Sequence, residues 1–166
     1  MNYYRVTKYN PRLRDKKGHY TVNDWTSMSD IGQMFSDGIL TKEKYEQTEN
    51  SYVNAVNIIL TKAGVSSLTV RDLEITEDIK NLRLSTEERN ILSKIANNLC
   101  INLHEIECVV RMVLRELLWC RLCSDMDNIE IEFGYDYYMY VRCNTLDAST
   151  EKLLLKDNIF VELISE

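Results

Sequence analysis

The sequence predicts an α+β fold in which an antiparallel sheet packs against three to four helices. The main observation is that residues 117–143, LLWCRLCSDMDNIEIEFGYDYYMYVRC, combine strand-like alternation, turn residues and many aromatic residues. They predict a C-terminal meander of three antiparallel strands. The second observation is that helix signals upstream do not alternate regularly with strands, as they would around a parallel sheet. We therefore expect strands near both ends of the chain to join the meander.

Length and composition favour one domain over residues 1–166, because 45% of the residues are hydrophobic and the chain has only 1 Pro and 5 Gly. No apolar run approaches the roughly 20 residues that cross a bilayer, and MNYYRVTKYN lacks the apolar region of a signal peptide. We expect a soluble, cytoplasmic protein that binds no membrane. The net charge of −6 disfavours nucleic acid and suits a basic protein partner.

The N-terminal region begins with alternation over residues 3–9, which predicts a strand that ends at Pro11. The basic residues that follow, Arg12, Arg14, Lys16 and Lys17, are interpreted as a solvated loop. The next expected elements are a short strand at residues 19–22 and a short helix that begins after Ser27 or Ser29, extends through Phe35 and ends at Gly38.

The middle of the chain is expected to be mainly helical. Apolar residues recur every three to four positions over residues 41–63, and Gly64 then supplies a stop, so this segment predicts a long helix. Residues 65–75 predict a short extended segment, and the polar residues 76–84 predict a mobile connection. Capping boxes at Ser85 and Asn102 predict two further helices.

The two capped helices have different patterns. The first carries Ile91, Leu92, Ile95 and Leu99. The second is expected to bury an apolar stripe over residues 103–117 and to turn Glu107, Arg111 and Arg115 towards solvent. After the meander, Asp147 or Ser149 is expected to cap a short helix, and residues 159–164 predict a closing strand.

Within the meander, strands are expected at residues 118–123, 129–133 and 135–143, separated by a polar turn and by Gly134. Ile129, Ile131 and Phe133 alternate with Glu130 and Glu132, so the apolar set is expected to face the core. The opposite face is then expected to carry Glu130, Glu132, Tyr138, Tyr140 and Arg142. Tyrosine is frequent at protein interfaces, although helices covering this face would make the same tyrosines part of the core.

The 5 cysteines are expected to be free thiols, because the chain has no secretion signal and an odd number of cysteines. Cys120 and Cys123 form a C-x-x-C that follows a helical segment instead of opening a helix, unlike the thioredoxin motif. Structural thiols are therefore favoured, and redox and metal roles remain alternatives. A zinc site would need a second pair of closely spaced ligands, and no such pair occurs among Cys100, Cys108, Cys143, His19 and His104. We predict no metal and no cofactor.

No catalytic residue is predicted, because the sequence contains no G-x-S-x-G, no Gly-rich phosphate loop and no H-E-x-x-H. Glu130 and Glu132, with Asp136, form a possible carboxylate pair or Mg²⁺ site. Glutamate is also common at solvated strand positions, and we favour that interpretation.

Three segments resemble a group of small bacterial proteins. They are YYRVTKYNP at residues 3–11, DWTS and DIG at residues 24–27 and 30–32, and FGYDYYMY at residues 133–140. The group, which the chain resembles over most of its length, is associated with immunity proteins of polymorphic toxin systems and of contact-dependent growth inhibition. The resemblance implies a cytoplasmic antitoxin-like role and transfers no catalytic residue.

We interpret the chain as an intracellular protein-binding module, most concretely an immunity protein that neutralises a basic toxin domain by direct binding. The residues expected to contact this partner are Glu130, Glu132, Asp136, Tyr138 and Tyr140. The alternative function is a small enzyme or metal-binding domain that uses Glu130 and Glu132 or the thiols.

Overall fold

The computed structural model describes residues 1–77, 79 and 83–165. Over these residues the chain forms four α-helices and nine strands, which confirms the α+β class. The helices are α1 (Lys42–Ala63), α2 (Thr86–Leu92), α3 (Leu103–Leu114) and α4 (Ala148–Lys156). The strands are β1 (Asn2–Thr7), β2 (Met34–Phe35), β3 (Gly38–Ile39), β4 (Ser67–Ile75), β5 (Cys100–Asn102), β6 (Leu118–Ser124), β7 (Ile129–Phe133), β8 (Met139–Cys143) and β9 (Phe160–Ser165).

Seven of these strands form one antiparallel sheet in the order β5-β4-β6-β7-β8-β1-β9. The predicted meander is confirmed as β6-β7-β8, and the strands near the two ends of the chain join it as β1 and β9. On the other side, β4 and the short β5 extend the sheet. Strands β2 and β3 form a separate hairpin.

The strand register brings one row of buried side chains across the sheet. Val70, Leu122, Ile131, Val141 and Tyr4 lie opposite one another on β4, β6, β7, β8 and β1. They belong to the same core cluster as the buried stripes of α1 and α3. The four helices contact one another in turn and lie on this side of the sheet. The other side bears polar and aromatic side chains, and none of the described helices covers it.

The predicted caps are confirmed, whereas two helix ends differ from the prediction. Ser85, Asn102 and Asp147 cap α2, α3 and α4, and Thr41, for which no cap was predicted, caps α1. The helix α2 ends at Leu92 and α3 at Leu114, so Ile95, Leu99 and Leu117 lie beyond the helices expected to contain them. Glu116 adopts a left-handed backbone (φ 59) that prevents α3 from continuing. Ile95 and Leu117 are nevertheless buried.

The short helix predicted through Phe35 is wrong. Ser27 caps only a single 3-10 turn, Met28–Asp30, in which the Asp30 carboxylate accepts hydrogen bonds from the main-chain N–H groups of Thr26 and Ser27. Gly32, at φ 95, then redirects the chain into the β2–β3 hairpin. The candidate strand at residues 19–22 amounts to one bridge, between Arg14 and Tyr20.

The connection predicted at residues 76–84 is described only in part, since residues 78 and 80–82 lie outside the described residues. Thr76 packs beside the end of α3, where its hydroxyl donates to the Glu116 carbonyl at 2.7 Å. Among the helices of the described ranges, none has both the length and the apolar character required to cross a membrane.

Candidate functional site

Four of the five residues expected to contact a partner lie together on the uncovered face of the sheet. Glu130 and Glu132 are on β7, and Tyr140 lies directly opposite Glu132 on β8. The Tyr138 ring is 6.4 Å from the Tyr140 ring and nearly parallel to it. Asp136 lies apart from them, in the turn that joins β7 to β8. The period-2 alternation therefore brings together Glu130, Glu132 and Tyr140, and Tyr138, the last residue of the turn, packs beside them.

Arginine and tyrosine side chains engage the two glutamates of this face. Glu130 lies 3.2 Å from Arg121 and 3.8 Å from Arg142, on the two flanking strands. Glu132 accepts a hydrogen bond from the Tyr3 hydroxyl at 2.9 Å. Burial, together with this bond, raises the pKa of Tyr3 to about 12. The carboxylates are thus balanced by neighbouring donors, and the face is of mixed charge.

Tyrosine rings form a flat surface on the same face. The rings of Tyr3 and Tyr140 stack at 5.4 Å with an interplanar angle of 18°, and Tyr138 continues the row. The Arg142 guanidinium lies 4.8 Å from the centre of the Tyr3 ring. We call Tyr3, Tyr138 and Tyr140 the tyrosine row. All three are half-buried, so each keeps part of its ring in solvent.

Arg14 was predicted to be solvated, but its side chain is buried. Its side chain is only 8% exposed and lies 3.3 Å from Glu162. It also donates to the Tyr138 hydroxyl at 3.2 Å. Arg5 binds the same Glu162 carboxylate through two hydrogen bonds of 2.8 and 2.7 Å. The loop that carries Arg14 therefore supports one end of the tyrosine row, whereas Arg12, Lys16 and Lys17 are exposed or partly exposed as solvated residues.

The strand predicted to begin at Tyr135 begins instead at Met139, and residues 134–138 form a turn. Asp136 and Tyr137 adopt left-handed backbone conformations (φ 58 and 62), which no regular strand contains. The Gly134 N–H donates to the carbonyl of Tyr138 at 2.7 Å and closes the turn. As a result, Tyr135 projects into solvent, where 93% of it is exposed.

Buried hydroxyl groups hold this turn from beneath. Tyr9 donates to the main-chain carbonyl of Asp136 at 2.6 Å, and Tyr52 donates to the main-chain carbonyl of Tyr137 at 2.5 Å. The Tyr137 hydroxyl lies 3.2 Å from the carbonyl of Leu114, at the end of α3. Burial raises the pKa of Tyr9, Tyr52 and Tyr137 well above the usual tyrosine range, so all three remain protonated donors.

The tyrosines of residues 135–140 thus divide between core and solvent. Tyr137 is 5% exposed and packs edge-on against Trp25 at 4.9 Å. Its hydroxyl also donates to that of Tyr45 at 2.8 Å. Tyr135 is in solvent, and the rings of the tyrosine row lie between these extremes. Aromatic density alone did not separate these positions, because the left-handed turn changes the alternation.

A cleft of about 710 Å³ lies beside the turn. Strands β6 and β7 pair only at Leu122, Cys123 and Ser124, so they separate towards this end of the sheet. In the gap, the Trp119 indole N–H donates to the Phe133 carbonyl. Buried apolar side chains line the inner wall: Val113, Leu114, Leu118, Phe133 and Tyr137.

The rim of the cleft carries three exposed carboxylates, Glu74, Glu116 and Asp136, which we call the acidic rim. Glu74 is on β4 opposite Trp119, Glu116 follows α3, and Asp136 is in the turn. Within residues 1–77, 79 and 83–165, none of the three forms an ion pair, and no Lys, Arg or His lines the cleft. Sequence reasoning missed Glu74 and Glu116, because only the tertiary fold brings them near Asp136.

The C-x-x-C thiols point to opposite sides of the sheet. Cys120 lies on the core side of β6, whereas Cys123 lies on the uncovered side, opposite Glu130. Residues three apart on a strand have Cα atoms roughly 10 Å apart, which is beyond the roughly 7 Å limit for a disulfide. Burial raises the pKa of Cys120 to about 12 and that of Cys123 to about 11. The pair therefore cannot act as a dithiol on this strand.

The spacing of Arg111 and Arg115 predicted that both line a solvated side of α3, but both side chains turn towards α1. Both bind Glu49, which is 1% exposed on α1, at 3.0 and 2.7 Å. Arg115 also reaches Glu88 at 2.9 Å. The side-chain hydrogen bond to Glu49 is the main reason that the pKa of Arg115 is raised. This network, centred on the buried Glu49, joins α1, α2 and the end of α3.

No group of three or more His, Cys, Asp or Glu side chains suited to a metal ion occurs in the part of the chain that the structure describes. Comparison of the chain with protein-family models, with curated proteins and with solved structures gives no significant match.

Proposed function

We propose that the chain is a protein-binding module that neutralises a toxic partner protein by covering part of its surface, as an immunity protein does. The observation that carries this proposal is the turn at residues 134–138, which holds Tyr135 93% exposed on a rigid backbone. An exposed apolar ring of this size gains from being covered by a partner. Because the turn is already ordered, binding costs little conformational entropy.

The tyrosine row supports the same function. It borders the turn through Tyr138 and adds half-buried rings whose positions are fixed by stacking. Tyrosine buries a large apolar body while its hydroxyl keeps a hydrogen bond. We assign Glu130, Glu132, Asp136, Tyr138 and Tyr140 to the contact surface, together with Tyr135.

Charge supports a basic partner. The net charge of −6 would accelerate the encounter with a positively charged toxin domain. The Arg and Glu pairs on the sheet face would then determine how the partner is oriented on this face more than how tightly it binds. The resemblance of residues 3–11 and 133–140 to toxin-system immunity proteins points to the same class of partner.

Co-expression tests this proposal. The polypeptide encoded immediately upstream of this gene is produced in bacteria with and without the chain, and growth is measured. We expect growth arrest that the chain relieves. Tyr135→Ser should reduce the protection, whereas the exposed and distant Leu155→Ser on α4 should retain it. An upstream polypeptide that is harmless, or that the chain does not bind, would refute the immunity function.

A further inference from the structure

We infer that the cleft beside the turn receives an arginine side chain, flanked by apolar residues, from a loop of the partner protein. This inference rests on the proposed protein-binding function and names the chemistry of the partner segment. It concerns a surface that the predicted contact residues reach only at Asp136.

The shape of the cleft suits side chains from another polypeptide. Its volume of about 710 Å³ falls in the range of roughly 300–1,000 Å³ that is typical of ligand sites. Its inner wall is apolar and buried, so an apolar side chain that enters it leaves water without losing hydrogen bonds. The separation of β6 from β7 keeps the cleft open along the end of the sheet.

The acidic rim makes the cleft specific for a cation. Glu74, Glu116 and Asp136 come from three different elements and surround one opening. Glu49 and Glu130 are each bound to arginines, whereas no described residue neutralises the carboxylates of the rim. A cation placed between them gains attraction without first breaking an existing ion pair.

Aromatic walls favour arginine over lysine. Trp119 and Tyr137 both line the cleft. The planar guanidinium of arginine stacks on aromatic rings and donates several hydrogen bonds at once, whereas the lysine ammonium is a strongly hydrated point charge. A guanidinium can therefore contact a ring and a rim carboxylate together.

Two exposed apolar residues on the lips point to a polypeptide occupant. Ile75, at the end of β4, is 42% exposed, and Tyr135, in the turn, is 93% exposed. A small cation inside the cleft would leave both in water. A loop that crosses the cleft covers both lips while its arginine enters the opening. One segment then both pairs with the rim carboxylates and buries the exposed apolar area.

Hydrogen bonds fix the backbone of two rim residues before binding. Glu116 accepts a hydrogen bond at its carbonyl from Thr76, at 2.7 Å, and Asp136 accepts one at its carbonyl from Tyr9, at 2.6 Å. Both residues have left-handed backbones that these bonds help to maintain. The backbone that carries these two carboxylates is thus ordered before a ligand binds, which lowers the entropy cost of binding.

A pair of peptides tests the inference. The probes are acetyl-Leu-Arg-Leu-amide and the same peptide with citrulline, the neutral isostere of arginine. Binding to the full chain is followed by NMR through the indole N–H of Trp119, with the α4 amides as a distant reference. We expect the arginine peptide to shift the Trp119 signal and to bind about tenfold more tightly than the citrulline peptide.

Matched variants separate the effect of the rim carboxylates on peptide binding from the effect of overall net charge. Glu74→Gln, Glu116→Gln and Asp136→Asn together should weaken arginine-peptide binding about tenfold and leave citrulline-peptide binding unchanged. A control variant with Glu43→Gln, Glu46→Gln and Glu151→Gln, all exposed positions on α1 and α4, changes the net charge equally and should bind as the native chain does. The amide spectrum of each free variant reports whether it folds, and Glu74→Lys alone provides a second rim variant.

Equal affinity for the two peptides, equal losses in the rim and control variants, or peptide-induced shifts that avoid Trp119 would each overturn the inference. The proposed function is judged separately by the growth assay. If Tyr135→Ser abolishes protection while the peptides do not discriminate, the cleft inference fails and the binding function stands. If the chain gives no protection, the proposed function fails whatever the peptides do.

Discussion

The hydroxyl of Tyr52 links three separate parts of the chain. It lies in the middle of α1, donates to the carbonyl of Tyr137 at 2.5 Å and accepts from the main-chain N–H of Lys8 at 2.9 Å. The side chain is fully buried. One group thus joins the longest helix, the end of the first strand and the turn that exposes Tyr135, so stability and the proposed binding surface depend on the same bond.

Tyr52→Phe is expected to lower the free energy of unfolding by roughly 2 kcal/mol, because it leaves a buried carbonyl and an N–H without a partner. Urea denaturation near neutral pH measures the loss. The control is Tyr135→Phe, which removes a hydroxyl from a ring that is 93% exposed and should change stability by less than about 0.5 kcal/mol. Equal effects of the two substitutions would contradict the role given to Tyr52.

Glu49→Gln is expected to cost roughly 3 kcal/mol of unfolding free energy, because it leaves the partly buried Arg111 without an anion and Arg115 with Glu88 alone. The matched control is Glu46→Gln on the same helix, since Glu46 is exposed and lies 3.5 Å from Lys42 in a surface ion pair. Its effect should stay below about 1 kcal/mol. Chemical denaturation of both variants provides the comparison, and a neutral Glu49→Gln would show that the buried network adds nothing.

Thiol labelling of the native protein should modify Cys100 first, because it is the exposed cysteine. Burial raises the pKa of Cys108 to about 11 and that of Cys120 to about 12, so few of these thiols ionise at about pH 8. Cys100→Ser should remove the fast phase, and urea should expose the remaining thiols. A disulfide between Cys120 and Cys123 formed in the folded state would contradict their placement on opposite sides of β6.

The stability supplied by Asp147 should be lost in acid. Its carboxylate caps α4 by accepting from the Thr150 N–H at 2.7 Å and from the hydroxyls of Thr150 and Ser149, and these bonds lower its pKa to about 2. A carboxyl group with a lowered folded-state pKa stabilises the protein above its unfolded pKa of roughly 4 and stops doing so as the pH falls through the folded value.

Asp147→Asn tests this pH dependence, because asparagine can still cap the helix but cannot ionise. Thermal unfolding midpoints of the native chain and the variant are compared between about pH 5 and pH 2. The advantage of the native chain should shrink towards the acid end. A difference that stays constant over this range would contradict the assignment.

Local signals in the sequence predicted much of the fold. The alternation around Ile131 identified β7 and its buried face, because a strand with one covered side imposes a period of two. The predicted caps at Ser85 and Asn102 identified two helix starts, since each side chain binds an N–H group only three residues away. These signals need no information from distant residues.

The missed features depend on distant partners. The turn around Asp136 was predicted as strand, because its left-handed backbone is maintained by Tyr9 and Tyr52, far away in sequence. The predicted Glu130 and Glu132 share one face as expected, but the arginines that bind Glu130 follow from strand register. The acidic rim combines three elements that no local spacing connects.

The position of β1 between β8 and β9 has a consequence for folding. Asn2 lies opposite Cys143, and Tyr3 lies opposite Ser165, so the first strand makes its ladder contacts with the last quarter of the chain. Contacts between residues so distant in sequence slow folding, because a long loop must close before they form. During synthesis, the strand that leaves the ribosome first can reach its place only after both of its neighbours have been made.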